Sequence, residues 1–428
     1  MIPSIVEAAR DFRAGRLAPT ELLDTLLKHI ASENPRIGAF TEVFRDTARN
    51  EARAADRELR EGTDRGPLHG IPVAVKDLFD VSGSVTTCGA HPFFHPSPAR
   101  EDSEVVARLR RAGAVILGKT ALHEWALGVT TLNPHHGFCR NPRDPDRIAG
   151  GSSGGSAAAL ASEMCLGALG TDTGGSIRIP ASLCGVVGLK PSYNLVPTRG
   201  LFPLAPSLDH AGPMARTVAD AFLLLQAISD WNPEPVPSPK FLVPERGITE
   251  DLDCDIGRAF EATLKNLPAL RSVDLGEVRE IRTAAGILLL SEAAGVHRTR
   301  LRDHPEKFGS DVRERMENGL RFTAAEVENG LKAQGKWRAR LTGLLGADGI
   351  LVTPTTPVTA SRIDETGGVD PPRLLTRFTS PFNFAGAPAL SLPARSPGPL
   401  PVGIQLVAAP GRESLLREAA LIVEGSQG

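Results

Sequence analysis

Features that would point to a membrane, to nucleic acid or to a secreted scaffold are missing from this sequence. No stretch reaches the roughly 20 consecutive apolar residues that a helix needs to cross a bilayer. The net charge is only −2, from 48 basic and 50 acidic residues, so no excess of one sign predicts binding to nucleic acid or to an anionic membrane. We therefore expect a small molecule as the ligand, with neither a nucleic-acid nor a membrane partner.

Cysteine is scarce and shows no pattern. The five cysteines of the chain are Cys88, Cys139, Cys165, Cys184 and Cys254. Their spacing is not that of a zinc site, and an odd number in a large chain fits reduced thiols better than a disulfide framework. Charged residues also occur too early in the N-terminal segment for a signal peptide. These absences predict a cytoplasmic protein.

Histidine does not complete a metal site either. His91 and His95, like the adjacent pair His135 and His136, have no Asp or Glu at ligand spacing, and prolines separate the groups. We expect loop positions for these histidines, and no metal or other cofactor.

The composition is that of a globular protein, with 41% hydrophobic and 23% charged residues. From Leu68 onward, short apolar segments alternate with helical patterns: a strand over 71–75, a helix over 103–112 and a strand over 114–118. Such alternation predicts an α/β fold with a mixed, mostly buried central β-sheet flanked by many helices. Because no repeat or low-complexity tract divides the chain, we expect a single large domain.

Within that domain the sequence predicts four segments. Residues 1–65 read as N-terminal helices, with Ser4 capping the first and a second running from Thr20 to about Ile30. Residues 66–225 form the catalytic core. A variable helical region on the substrate side follows over 226–346, after a proline-rich connection at 231–239. Strands and a helix over 347–428, with a Gly/Pro/Asp loop at 364–372, complete the core.

The most informative stretch is 150–180, where two glycine-flanked serine clusters bracket a helix expected over 156–164. Glycine lets a ligand approach main-chain N–H groups closely. Serine is a weak nucleophile and needs a base, and the strand over 71–75 leads directly into Lys76. Burial would lower the pKa of that amine toward the value a base needs. Lys119 ends a second strand and is a rival for this role.

These motifs resemble the amidase signature family. The resemblance covers Lys76, Gly-Gly-Ser-Ser-Gly-Gly-Ser from Gly150 and the run Gly170–Pro180, and continues through 184–185, 188–191, 199–200, 209–216 and 352–355. It implies a catalytic set of Ser176 as nucleophile, Ser152 as proton relay and Lys76 as base. It also implies a cis peptide bond at Ser152, eased by Gly151.

The resemblance assigns further roles around the nucleophile. Main-chain N–H groups of Thr173, Gly174, Gly175 and Ser176 are expected to form the oxyanion hole. Supporting positions are Gly151, Ser153, Asp172 and Arg178, the last two as an internal ion pair. His210 falls in a motif that usually has a structural role near the site. The implied reaction is hydrolysis of a carboxylic acid amide through an acyl-enzyme.

Several alternatives stay open. Gly151–Gly155 also fits the Gly-x-Ser-x-Gly pattern of α/β-hydrolases, with Ser153 as nucleophile, although no hydrophobic strand precedes it. The glutamine-hydrolysing A subunit of the tRNA-dependent amidotransferase shares the signature, but Thr376 stands where that protein usually carries an acidic residue. A catalytically inert binding protein of the same fold is a third reading.

The substrate pocket is the least readable part of the sequence. Arg377, Phe378 and Phe382 suggest a mixed aromatic and polar pocket wall. The family resemblance leaves the amide unspecified, and it makes a homodimer possible.

Overall fold

The computed structural model describes residues 2–245, 249–365 and 371–426, and within them the chain builds one large mixed β-sheet flanked by helices. The predicted α/β fold is confirmed. The strands are β1 (Phe40–Val43), β2 (Pro72–Lys76), β3 (Val115–Thr120), β4 (Leu132–Asn133), β5 (Gly137–Phe138), β6 (Arg140–Asn141), β7 (Asp144–Ile148), β8 (Gly167–Thr171), β9 (Val187–Lys190), β10 (Ala211–Ala215), β11 (Lys240–Pro244), β12 (Arg271–Val273), β13 (Gly349–Pro354), β14 (Ala389–Ala394) and β15 (Val402–Val407).

The helices complete the list of elements. They are α1 (Ile5–Arg13), α2 (Pro19–Ile37), α3 (Arg45–Arg60), α4 (Glu104–Arg111), α5 (Gly154–Ala161), α6 (Arg178–Cys184), α7 (Val218–Ile228), α8 (Cys254–Lys265), α9 (Val278–Asp303), α10 (Ser310–Gly319), α11 (Ala324–Leu345), α12 (Pro371–Leu375), α13 (Ser380–Phe384) and α14 (Glu413–Gly425). Among the described helices, none has the length and apolar character of a membrane span.

In the described residues the central sheet has 11 strands in the order β1-β3-β2-β8-β10-β9-β14-β15-β13-β11-β12. β2 pairs in parallel with β3 on one side and with β8 on the other, whereas β8 pairs antiparallel with β10. Parallel strands present their carboxyl ends at the same edge of a sheet. The ends of β2 and β8, at Lys76 and Thr171, therefore meet at one edge.

The sheet is buried along most of its length, because helices cover it. β2, β3, β8, β9, β10, β13 and β15 have only buried residues. α5 contributes alanines to an apolar cluster with β3 and β8, as their short side chains allow. This helix begins at Gly154 and ends at Ala161, earlier than expected, because Glu163 adopts the left-handed region with φ 55°.

The N-terminal helices lie close to the predicted positions. Ser4 caps α1, accepting from the Glu7 N–H while Glu7 accepts from the Ser4 N–H. The expected end of α2 at Ile30 was wrong: the helix continues to Ile37 and stops at Gly38, which has φ 69°. Of the loop predicted at 364–372, residues 366–370 lie outside the described part of the chain.

The region 226–346 is helical with two additional strands. β11 and β12 lie in this region and extend the central sheet beyond β13. α10 and α11 each pack on α9, and Leu289 of α9 approaches Gly174 in the loop between β8 and α6. This region therefore contacts the part of the core that carries the second serine cluster.

Candidate active site

Lys76 ends β2 and is completely buried, and its amine is surrounded by hydroxyl groups. Nζ lies 2.7 Å from Ser152 Oγ, 3.0 Å from Ser153 Oγ and 2.7 Å from Thr171 Oγ1. Burial lowers the pKa of Lys76 from 10.5 to about 7, although Asp172 and Asp209 oppose this shift. At neutral pH a large fraction of this amine is therefore neutral and can accept a proton.

Ser152 lies between Lys76 and a tightly anchored backbone. The Gly151–Ser152 peptide bond is cis, as the family resemblance implies. Thr131 Oγ1 donates to the Gly150 carbonyl at 2.8 Å, and the His123 N–H donates to the Ser152 carbonyl at 3.2 Å. A Cβ on Gly151 would lie only 2.8 Å from the Val129 carbonyl carbon, so only glycine fits against this loop.

Ser176 lies in the loop between β8 and α6 and is the member of the predicted set with exposed surface. It is 5% exposed, whereas Lys76 and Ser152 have none. Its hydroxyl forms no hydrogen bond with any described residue. The Ser153 N–H donates to the Ser176 carbonyl at 3.1 Å, which holds this loop against the first serine cluster. A ligand can therefore reach the Ser176 hydroxyl.

The backbone N–H groups of Thr173, Gly174, Gly175 and Ser176 find no acceptor among the described residues. The neighbouring carbonyls do have partners: Thr379 Oγ1 donates to Gly174 O at 2.6 Å, and the α6 backbone donates to Gly175 O at 2.7 Å. In a planar trans peptide the N–H points opposite to the carbonyl. The N–H groups of Gly175 and Ser176 therefore point away from Thr379 and α6.

Asp172 and Arg178 form the ion pair that the family resemblance implied. Arg178 Nε and Nη2 donate to the two carboxylate oxygens at 3.0 and 2.9 Å, and both side chains are fully buried. Asn383 Nδ2 donates to Asp172 Oδ1 at 2.8 Å, and Gln405 Oε1 accepts from Arg178. Burial alone would raise the pKa of Asp172, but the charge of Arg178 holds this pKa well below its usual range. This pair fixes the two ends of the loop between β8 and α6, which we call the nucleophile loop after the role predicted for Ser176.

Lys119, the rival base, is occupied by other partners. Its Nζ forms a buried ion pair with Asp77 at 3.1 Å and donates to the Phe79 carbonyl at 2.9 Å. Ser153 is also held, because its Oγ accepts from the Thr171 N–H and donates to the Thr171 carbonyl, each at 3.2 Å. The geometry therefore favours Lys76 as base and disfavours Ser153 as nucleophile.

His210 contacts the backbone at the start of the loop between β8 and α6. Its Nδ1 lies 2.7 Å from the Leu208 carbonyl and 3.2 Å from the Asp172 carbonyl, so this nitrogen must carry the proton. Burial and the nearby Lys190 lower the pKa of His210 well below its usual range. Neutral His210 thus helps to hold the backbone at Asp172.

The predicted pocket residues occupy different environments. Arg377 stacks on the Phe378 ring at 5.2 Å, and Phe378 and Phe382 are fully buried in the apolar cluster that contains Trp337. Neither phenylalanine offers a surface to a ligand in this structure, because both side chains are fully buried. A pocket role for these residues stays a prediction.

Sequence reasoning missed several polar residues of the site. Thr171 binds Lys76, Thr379 binds the Gly174 carbonyl, and Asn383 and Gln405 complete the shell of the buried ion pair. Asn383 and Gln405 are polar residues within apolar segments, and this contrast was the available signal for them. In the described chain no three His, Cys, Asp or Glu side chains gather as a metal-binding group.

Comparison with known proteins places this arrangement in a family. A model of the amidase family matches residues 21–416. An amidase from Pseudomonas putida is 37% identical over 91% of this chain and 88% of its own length. The A subunit of the glutamyl-tRNA(Gln) amidotransferase from Thermosynechococcus vestitus is 35% identical, over 97% and 95% of the two chains. The AtzE subunit of the 1-carboxybiuret hydrolase from Pseudomonas sp. strain ADP is 34% identical, over 98% and 97%.

The fold agrees with these relatives. A crystal structure described as that of an amidase superposes on this chain with a TM-score of 0.93 and 38% identity, covering 100% of both chains. The chain belongs to the amidase signature family and is an amide hydrolase.

Proposed function

We propose that this protein hydrolyses the amide bond of a small-molecule carboxamide to a carboxylate and ammonia or an amine, through an acyl-enzyme on Ser176. The observation that carries the proposal is the environment of Lys76. Its buried amine has a pKa of about 7 and lies 2.7 Å from Ser152 Oγ. An amine with this pKa is an effective base at neutral pH.

The contact between Lys76 and Ser152 supplies the second transfer of a two-serine relay, and the first transfer takes place between Ser176 and Ser152 once the substrate is bound. Ser176 Oγ attacks the amide carbonyl carbon while its proton passes to Ser152 Oγ, whose own proton passes to neutral Lys76. The tetrahedral intermediate collapses as Lys76 returns a proton through Ser152 to the leaving nitrogen, and the C–N bond breaks. Water then attacks the acyl-Ser176 ester by the same relay and releases the carboxylate.

The free N–H groups of the nucleophile loop fit the negative charge of that intermediate. Among the residues that the structure describes, Thr173, Gly174, Gly175 and Ser176 present N–H groups without acceptors, next to the serine hydroxyl that attacks. One such donor typically contributes about 3 kcal/mol to lowering the barrier. Because these groups are fixed by Thr379 and the Asp172–Arg178 pair, they need no rearrangement during the reaction.

A second candidate is the glutamine-hydrolysing A subunit of the amidotransferase that acts on Asp-tRNA(Asn) or Glu-tRNA(Gln). The near-complete overlap with one such protein, 97% of this chain, favours it. Thr376 opposes it, because a Cβ on Gly174 would lie 3.9 Å from the Thr376 methyl, so a threonine faces the nucleophile loop where an acid is usual in the amidotransferase. We therefore prefer an amidase that does not use glutamine.

Further expectations accompany this proposal. All five cysteines are free, and four of them are buried, which agrees with reduced thiols in a cytoplasmic protein. An amidase of this kind would be active as a homodimer, without a second kind of subunit. The amidotransferase reading instead requires partner subunits of other sequence. We propose the homodimer, with no nucleic-acid or membrane partner.

Ammonia release from a panel of primary amides, including glutamine and asparagine, tests the proposal. Ser176→Ala should abolish release without loss of folding, and labelling by a fluorophosphonate should disappear with it. Ser153→Ala tests the rival nucleophile: its Oγ lies 3.0 Å from Lys76 Nζ, so we expect slower labelling that is not abolished. Labelling that survives in Ser176→Ala but is lost in Ser153→Ala would refute the assignment, and release from glutamine alone would support the amidotransferase reading.

A further inference from the structure

Phe, Trp and Tyr form only 5% of the sequence, yet three of their rings meet one histidine ring in a single cluster. The Trp125 ring centroid lies 4.3 Å from that of His297 and 5.1 Å from that of Phe202, and Phe308 lies 6.0 Å from His297. We call Trp125, Phe202, His297 and Phe308 the ring cluster. Phe94, 6.0 Å from Trp125 and 5.4 Å from the exposed Phe93, extends it to the surface.

The ring cluster is connected to the backbone of the catalytic set. The Phe202 N–H donates to the Leu78 carbonyl at 3.0 Å, two residues after Lys76. The short helical turn that carries Trp125 follows His123, whose N–H binds the Ser152 carbonyl. The cluster therefore borders the strand end and the loop that position the base and the relay serine.

Helix α9 connects the ring cluster with the nucleophile loop. Leu289 of α9 would lie 3.6 Å from a Cβ on Gly174, and it also packs against the apolar residues around Trp125. His297 follows about two turns later on the same helix. Helix α9 therefore contacts both the nucleophile loop and the ring cluster.

The ring cluster contains buried polar atoms that lack partners. Trp125 Nε1 and both ring nitrogens of His297 form no hydrogen bond with any residue the structure describes, and the two side chains are 2% and 0% exposed. A buried donor or acceptor without a partner destabilises the folded protein. Burial lowers the pKa of His297 to about 3, so the ring is neutral and has one N–H donor and one acceptor nitrogen. A bound ligand with acceptor and donor atoms would supply the partners that these nitrogens lack in the described structure.

Arg300 adds an uncompensated positive charge to the cluster. Its guanidinium carbon lies 5.4 Å from the Trp125 ring centroid and 5.5 Å from that of Phe202. Its side chain forms no hydrogen bond or ion pair with any described residue, and it is only partly buried. A guanidinium over an aromatic face binds a planar carboxylate well, because its donors match the two oxygens.

We propose that the ring cluster and Arg300 bind the end of the amide substrate remote from the scissile bond, and that this end is a flat group bearing a carboxylate. The flat group stacks on Trp125, on the face that Arg300 now covers, and the carboxylate accepts from Arg300 and from the N–H groups of Trp125 and His297. This inference rests on the proposed function, because it takes Ser176 as the reacting end.

Binding can be measured without turnover in a Ser176→Ala background by calorimetric titration. The probes are 4-carbamoylbenzoate, which is flat and carries a carboxylate, and benzamide, which lacks the carboxylate. Arg300→Met should raise the Kd of 4-carbamoylbenzoate about tenfold or more and change that of benzamide by less than about twofold. Arg298→Met, an exposed arginine two positions earlier on the same helix, is the matched control and should change neither.

His297→Phe separates a binding role from a structural one. If the imidazole nitrogens serve a ligand, the variant should keep or increase its melting temperature, because it removes unpaired buried atoms, and should weaken 4-carbamoylbenzoate binding. A lower melting temperature with unchanged binding would overturn the proposal. So would equal effects of Arg300→Met and Arg298→Met, or a Kd for 4-carbamoylbenzoate no lower than that for benzamide in the background protein.

Fluorophosphonate labelling of the parent protein keeps the two proposals distinguishable. If the label is found on Ser176 but both probes bind equally well, the proposed substrate class is refuted and the role of Ser176 is supported. If the protein prefers 4-carbamoylbenzoate but the label is found on another residue, the proposed subsite is supported and the proposed role of Ser176 is refuted.

Discussion

Replacing Lys76 by methionine should abolish activity and yet stabilise the protein at neutral pH. Methionine has a similar length and carries no charge. Burial lowers the pKa of Lys76 from 10.5 to about 7. Between these two values the unfolded chain binds more protons than the folded one, so the stability of the wild type falls as the pH falls from about 10.5 to about 7. Methionine does not titrate, so the stability of the variant does not fall in this way.

The magnitude follows from the shift and from the contacts. Lowering the pKa from 10.5 to about 7 costs about 5 kcal/mol below pH 7 and nothing above the unfolded pKa. The variant loses hydrogen bonds to Ser152, Ser153 and Thr171, each worth about 1 kcal/mol. We expect Lys76→Met to be about 2 kcal/mol more stable than the wild type near pH 6, and about 3 kcal/mol less stable above about pH 10.5. The sign of the difference should change near about pH 8.

Urea unfolding of both proteins at several values between about pH 6 and about pH 11 measures this difference. Lys119→Met is the matched control, because it removes a buried lysine that is paired with Asp77 at 3.1 Å. That variant should be less stable, by about 3–5 kcal/mol, since it leaves a buried carboxylate alone. If Lys76→Met were equally destabilised across the whole range, Lys76 would be charged in the folded protein, and its role as a base at neutral pH would be refuted.

Three further predictions concern activity. The value of kcat/KM in buffered ammonia-release assays should rise about tenfold per pH unit up to about pH 7 and then level off, because only neutral Lys76 accepts a proton. Gly175→Ala should lower kcat by about 100-fold, because its Cβ would lie 2.2 Å from Thr379 Oγ1 at a φ of 135°; unchanged kcat would show that the loop tolerates displacement. Asp209→Asn removes a charge that raises the pKa of Lys76, so the rise of kcat/KM should move to lower pH. Asp220 is another buried aspartate, and it accepts from two backbone N–H groups. Asp220→Asn should therefore leave the pH profile of kcat/KM unchanged.

The meeting of Lys76 and Ser152 could be predicted from sequence, although the two residues are 76 positions apart. The strand before Lys76 and the glycine-rich serine clusters are local patterns, which can be recognised in the sequence without knowledge of the fold. The choice between Lys76 and Lys119 could not be made from local patterns. Both lysines lie on neighbouring parallel strands, and only the paired sheet shows that Asp77 reaches Lys119. Neighbouring strand residues point to opposite faces, which separates Asp77 from Lys76.

The ring cluster was beyond sequence reasoning for a different reason. Trp125, Phe202, His297 and Phe308 come from four separate segments of the chain, and no local pattern predicts that these segments meet. Nothing local marks His297 as lacking a partner, since that property depends on every side chain packed around it. The end of α2 was missed because the mostly polar segment from Ser32 to Arg36 still allows a helix, which ends only at Gly38.

The low pKa of Lys76 also depends on where the nearby carboxylates are engaged. Asp172 is held by Arg178 and Asn383, while Asp209 accepts from Thr173 Oγ1 at 2.6 Å and from the backbone of Leu204 and Ala205. Neither carboxylate contacts the lysine, so its direct partners are neutral hydroxyls, which compensate the burial of a charge less than a carboxylate would. If either acid formed an ion pair with the amine, the lysine would stay charged as a buried ammonium. The separate engagement of the two acids is therefore consistent with the role that we propose for Lys76 as the base.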